Sequence, residues 1–157
     1  MIVVADTTPL NYLILIGHIG ILEAQYGCIL IPPAVLEEML DLNAPPSVRV
    51  WAKNPPHWLE ILSPSTARDT LPPNLDRGET EAIQLAEELR SDWLLIDEAA
   101  GRDEARRRGL QTIGTLGILR NTHALGLLDV RDALVKLKDS GFHMSETLVQ
   151  AILNSIV

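Results

Sequence analysis

Cysteine is nearly absent from this chain: Cys28 is the single one among 157 residues. A disulfide framework within the chain and a cysteine-based zinc site are both excluded. The expected compartment is a reducing cytoplasm. Aromatic residues make up only 4% of the chain, so the core must be aliphatic. A nucleic-acid surface built on stacked aromatic rings is not expected. Basic residues are outnumbered, 13 Lys and Arg against 21 Asp and Glu, for a formal net charge of −8. That balance does not advertise a broad basic groove. A nucleic-acid substrate would need a divalent cation or a local basic patch to offset the acid. Long hydrophobic runs are missing too. The apolar stretch from Tyr12 to Leu22 is too short for a membrane span and contains His18 and two glycines. The N-terminus lacks a charged leader region and Asp6 interrupts it early, so neither a signal peptide nor a membrane partner is expected. His18, His57, His123 and His143 show no metal-ligand spacing.

What remains is an aliphatic chain of a length that suits one globular domain with a sizeable core. Short apolar runs alternate with helical patterns. Ile2–Ala5, Cys28–Ile31, Trp93–Ile96 and Gln111–Ile113 read as strands, the first three buried on both faces. Between and after them, helices are expected from Pro9 (with Thr8 as cap) to Ile16, Ile19 to Tyr26, Pro33 to Leu42, Asp76 to Leu89, and after Asp97 as far as Gly109. Three more follow at Thr115–Leu125, Val130–Asp139 and Glu146–Ile156. Residues 43–76 are the least regular part, punctuated by Pro45-Pro46, Pro55-Pro56 and Pro72-Pro73. A short helix at Val48–Lys53 and a strand at Trp58–Leu62 are expected inside it, and the stretch reads as a proline-rich insertion in a single domain, 1–157. Alternating strands and helices argue for a parallel sheet with helices on both faces. In such sheets ligands bind beyond the carboxyl ends of the strands.

Two strands end on an aspartate, Asp6 and Asp97. Each alone is an ordinary turn or capping residue; together they would rise at one edge of the sheet. Helical phase adds two glutamates. On the Pro33–Leu42 helix, at about 100° per residue, Glu37 points away from the apolar side while Glu38 lies about 60° from Val35. On the helix after Gly78, Glu79 falls about 60° from the centre of the buried stripe, and Glu81 about 100° away on the other flank. The helix dipole alone would also favour a carboxylate at Glu79. Four converging carboxylates would repel and raise each other's pKa values. A hard divalent cation, magnesium or manganese, resolves the conflict. It would also orient a phosphate and activate water. Arg102, Arg106, Arg107 and Arg108 cluster on one helix; Arg102, one turn past Asp97, is the candidate to hold a phosphate or pair with an acid. The others read as a solvated face paired with Asp103 and Glu104. Trp51 and Trp58 read as packing residues.

The segments DTTPL (6–10), PPAVLEE (32–38), RGETEAIQLA (77–86) and LLIDEAAGR (94–102), with GTLGIL (114–119) and SGF (140–142), resemble PIN-domain proteins. The likeness is to a subfamily known as a domain of unknown function and similar to VapC-type toxins of toxin–antitoxin pairs. The resemblance covers nearly the whole chain. It implies a Rossmann-like, three-layer α/β/α fold with a central parallel sheet, and an RNA-cleaving homodimer. It further implies a catalytic metal site for Mg2+ or Mn2+ formed by Asp6, Glu38, Glu79 and Asp97. Thr8 takes the place of a hydroxyl residue beside the first acid. An antitoxin partner follows from the family alone. Glu79 stands where such toxins typically carry aspartate, and Ala100 where a further acid often follows the fourth. The readings that compete with a metal-dependent ribonuclease are a non-catalytic protein-interaction module on the same fold and a metal-dependent phosphatase or DNA nuclease.

Overall fold

The computed structural model describes residues 1–65 and 71–156. Strand β1 (Val3–Ala5), two valines and an alanine, is fully buried, and it stops at Asp6, whose extended backbone caps α1 (Thr7–Leu15). Helix α2 (Ile21–Tyr26) leads into β2 (Ile29–Ile31). Pro33 then opens α3 (Pro33–Leu40), at a helix position where a missing N–H does no harm. Within the proline-rich stretch, α4 (Pro46–Lys53) packs on α1 and α3, and β3 (Leu59–Ile61) joins the sheet. The part of that stretch at 66–70 lies outside the described residues.

Helix α5 (Arg77–Leu89) begins where the Asp76 carboxylate accepts a 2.7 Å bond from the Glu79 amide. It precedes β4 (Trp93–Leu95), α6 (Ala99–Arg107) and β5 (Thr112–Ile113). Helices α7 (Thr115–Ala124), α8 (Val130–Asp139) and α9 (Glu146–Ser155) complete the chain. All pairings in the five-stranded sheet are parallel, in the order β3-β2-β1-β4-β5. The expected three-layer α/β/α architecture is therefore the one observed. Strand alternation sorts the core onto two faces: Val3, Ala5 and Leu95 belong to one cluster, Val4, Leu94 and Ile96 to the other. The second face is covered by Ala82, Ile83, Leu85 and Ala86 of α5 and Ala105 of α6.

Glu104, 6% exposed, accepts hydrogen bonds from Arg107 and Arg108, and Arg108 reaches Glu87 on α5 at 2.9 Å. Arg108 thus ties α6 to α5, and Glu104 is the shared partner of Arg107 and Arg108; the face read as solvated is largely buried at Glu104 and Arg108. Trp51 and Trp58 pack ring on ring, with centroids 5.9 Å apart. Among the described residues, no helix is long and apolar enough to cross a membrane. The chain order reverses between β1 and β4: β2 follows β1 on one side and β4 lies on the other. That junction is the topological switch point, where the loops part and a crevice opens. The Asp6 amide donates to the Leu95 carbonyl across it at 2.9 Å.

Candidate metal centre

Asp6 follows β1 and is 2% exposed. Its Oδ1 is buried with no hydrogen-bond partner. Burial first, and then the charges of Asp76, Glu79 and Glu38, raise its pKa well above the usual carboxylate range. Glu38, half-buried near the end of α3, is held from two sides. The Thr7 hydroxyl donates to its Oε2, and the Gly78 amide donates to its Oε1 at 2.9 Å. Burial raises its pKa, and these two bonds oppose the rise. Its sequence neighbour Glu37 faces outward and pairs with Arg77 at 2.7 Å. Oxygens of Asp6, Glu38 and Asp76 lie within 4.8 Å of one another.

Asp76 was not among the acids singled out from the sequence. Its role as N-cap concealed it, although the cap stands one turn before Glu79 and so shares its side of α5. Glu79 is 6% exposed. Burial, followed by the adjoining Asp76 carboxyl, pushes its pKa up to about 7. Glu81 instead shares Arg77 with Glu37. Asp97, at the end of β4, has both oxygens engaged: Thr115 donates its amide to Oδ1 at 2.8 Å and its hydroxyl to Oδ2 at 2.6 Å. Asp97 thereby caps α7 from a distance. Burial raises its pKa, against the two Thr115 bonds and the charge of Arg102. The hydroxyl beside the first acid that engages the cluster is Thr7 rather than Thr8. Helix α1 begins at Thr7, two residues before the Pro9 start expected from the sequence, because Asp6 is the N-cap. Thr8, Arg102 and Asp97 line one cavity.

Three acids sit against three glycines. A Cβ at Gly78 would come within 2.6 Å of both Glu38 oxygens, one at Gly101 within 2.7 Å of Glu79 Oε2, and one at Gly114 within 2.7 Å of Asp97 Oδ1. Real Cβ atoms do not approach oxygen so closely, so these positions leave the space the carboxylates occupy. Gly101 leaves the space that the Glu79 carboxylate occupies.

The donor set suits a hard cation. It is all oxygen and acidic, one oxygen is buried without a partner, and magnesium or manganese would satisfy it. Without the ion these acids destabilise the fold at neutral pH. A carboxyl whose folded pKa is raised stabilises fully below its unfolded pKa, and that contribution is lost as pH rises through the folded value. The window for Glu79 therefore runs from about 4.5 to about 7. The metal-free protein in EDTA is expected to melt progressively lower from about pH 5 to pH 7.5, at up to about 1.4 kcal/mol per pH unit per group. His18, with its pKa lowered by burial, works in the opposite sense below about pH 6.5 but is a single group. Saturating manganese is expected to remove the decline. Melting temperatures across this range, with and without manganese, check it; a metal-free midpoint that rises with pH would contradict the burial of charged acids.

A PIN-domain family model, DUF3368, matches residues 2–157. A comparison with curated protein sequences returned no match. A solved PilT N-terminus domain protein from the hyperthermophilic archaeon Sulfolobus solfataricus P2 shares the fold, with a TM-score of 0.58 and 17% identity. The alignment covers 78% of this chain and 93% of that one. The parallel sheet, the acids at its switch point and the match along almost the whole sequence agree: the chain belongs to the PIN domain family.

Proposed function

We propose that this protein is a magnesium- or manganese-dependent endoribonuclease, with Asp6, Glu38, Glu79 and Asp97 as its catalytic acids and Asp76 as an additional ligand. The observations that carry the reading are that Asp6 has a buried, unpartnered Oδ1 and offers a carboxylate oxygen within 4.8 Å of oxygens of Glu38 and Asp76 at the switch point of the sheet. A divalent cation bound there supplies neutralisation of the phosphate and acidification of an attacking water. The side chains do the rest. Asp6 and Glu38 would hold the ion, and Thr7 and Gly78 keep the Glu38 carboxylate in one orientation. Glu79, titrating near neutrality, takes a proton from the water. Asp97, locked by Thr115, sets the charge at the cavity side, with Arg102 to receive the substrate's phosphate. Attack in line would leave a 5′-phosphate and a 3′-hydroxyl.

Single-stranded RNA incubated with the protein and manganese is expected to be cut with those ends. EDTA should stop the reaction, and Asp97→Asn should slow it by about a hundredfold or more while the circular dichroism spectrum persists. Cleavage that survives EDTA would overturn the reading. Absence of cleavage by a folded, manganese-bound protein would favour the interaction module instead.

A further inference from the structure

A cavity of about 850 Å³ opens beside Asp97. Neither Asp6, Glu38, Asp76 nor Glu79 lines it. Its walls come from α1, the start of α6, β5, α7 and the segment leading into α9. One wall is apolar and aromatic: Tyr12 and Phe142 meet edge to face at 4.8 Å, next to Leu116. The other is polar. Of the seven buried side-chain atoms without a hydrogen-bond partner among the described residues, three belong to residues that line this cavity: Asn11 Oδ1, Arg102 Nε and Thr112 Oγ1. Buried polar atoms are rarely left unpartnered unless a ligand or water completes them. Arg102 and Arg120 both line the cavity. Of its two acids, Asp97 accepts one Thr115 bond on each oxygen, and Glu98 is the other. In a chain of net charge −8, this cavity brings two guanidinium groups and an aromatic wall together beside Asp97.

We propose that this cavity holds one nucleotide, its phosphate on Arg102 and Arg120, its base against Tyr12, Phe142 and Leu116, and its polar edge on Asn11 and Thr112. A guanidinium suits a phosphate because its planar fork donates in parallel. A cavity of this size suits a ligand of this size. The choice of a nucleotide over other phosphorylated compounds rests on the nuclease reading; the cavity and its unpartnered groups do not.

Calorimetry in EDTA, with the wild-type protein and the four 5′-ribonucleoside monophosphates, tests this apart from catalysis. At least one mononucleotide is expected to bind with a Kd of about 1 mM or tighter, and at least about tenfold more tightly than inorganic phosphate or the matching nucleoside. Arg102→Gln is expected to weaken it about tenfold or more, and Leu116→Trp, which fills the cavity without changing charge, by a similar factor. Manganese affinity of Arg102→Gln should not fall, because a cation near the acids has been removed. Should Arg102→Gln fail to fold, Arg120→Gln takes its place, with a loss of about threefold or more. A 2′-O-methyl trinucleotide binding far more tightly than the mononucleotide assigns the site to a strand; equal affinity assigns it to a free nucleotide. No binding up to about 10 mM, or binding indifferent to both Arg102→Gln and Leu116→Trp, would overturn the proposal. Inorganic phosphate binding as well as the nucleotide would overturn it too. Loss of the ribonuclease reading would show separately, as absence of cleavage by a protein that still binds the mononucleotide.

Discussion

Asp6→Asn is expected to abolish RNA cleavage and, in EDTA, to raise the melting temperature. The two effects have one cause. Asp6 is almost wholly buried, its Oδ1 has no partner, and Asp76, Glu79 and Glu38 surround it with like charge. Without a cation, ionised Asp6 is therefore a burden on the folded state. The amide of asparagine keeps the shape and removes the charge. A gain of roughly 1–2 kcal/mol, or about 2–8 °C for a chain of this length, follows. With manganese the order reverses. The wild type gains stability from the bound ion and the variant does not, and cleavage falls by about a thousandfold or more. Thermal melts of both proteins, with EDTA and with manganese, give four midpoints whose ranking is fixed in advance. A variant less stable than wild type in EDTA would mean that Asp6 is a structural residue and not a strained ligand. Functional residues held at the expense of stability are a recurring pattern.

Gly78→Ala is expected to cost about a hundredfold in manganese affinity and in cleavage, although Gly78 carries no functional group. Its amide holds Glu38 Oε1, and an added Cβ would lie 2.6 Å from both oxygens of that carboxylate. Glu38 cannot simply swing away, because Thr7 binds its other oxygen. The carboxylate must leave its position near Asp6 and Asp76. The test that separates this from a general packing defect is a double-mutant cycle. Glu38→Asp draws the carboxylate back by one methylene and weakens the site by itself. In that background the alanine no longer meets it, and adding Gly78→Ala should cost less than about threefold. Equal losses in both backgrounds would show that the alanine acts through the helix and not through Glu38. A glycine inside the first turn of α5 is otherwise unfavourable by about 0.5–1 kcal/mol relative to alanine. The variant should accordingly fold well and bind metal poorly.

Much of this arrangement was legible in the sequence because it depends on local periodicity. Val3 to Ala5 are β-branched or small and are followed by an acid, so a buried strand ending in a carboxylate could be read directly. Helical phase separated Glu38 from Glu37 and Glu79 from Glu81. The structure gives that separation a physical form for Glu37, which is exposed and pairs with Arg77, and for Glu79, which is buried; Glu81 is partly buried and also faces Arg77. What escaped depends on distance in space. Asp76 looked like a helix start, and it is one, so its second position beside Asp6 and Glu38 had no signature beyond its one-turn spacing from Glu79. The Thr7 hydroxyl reaches Glu38 because the helix begins at the residue after Asp6, two positions before the Pro9 start expected from the sequence. The matched glycines are invisible to any local pattern: Gly78 and Glu38, or Gly101 and Glu79, meet only after α3, α5 and α6 have been laid on the sheet. The nucleotide-sized cavity is harder still, since Asn11, Arg102 and Thr112 come from three separate elements.

The central claim is that the acids at the mouth of β1 and β4 hold one divalent cation. Titrating manganese into the metal-free wild-type protein by calorimetry at neutral pH, beside Asp6→Asn, tests it most directly. Protein that is folded should bind one manganese ion with release of protons from the raised carboxyls, and Asp6→Asn should bind at least about a hundredfold more weakly. Equal binding by both proteins, or none by the folded wild type, would contradict the account.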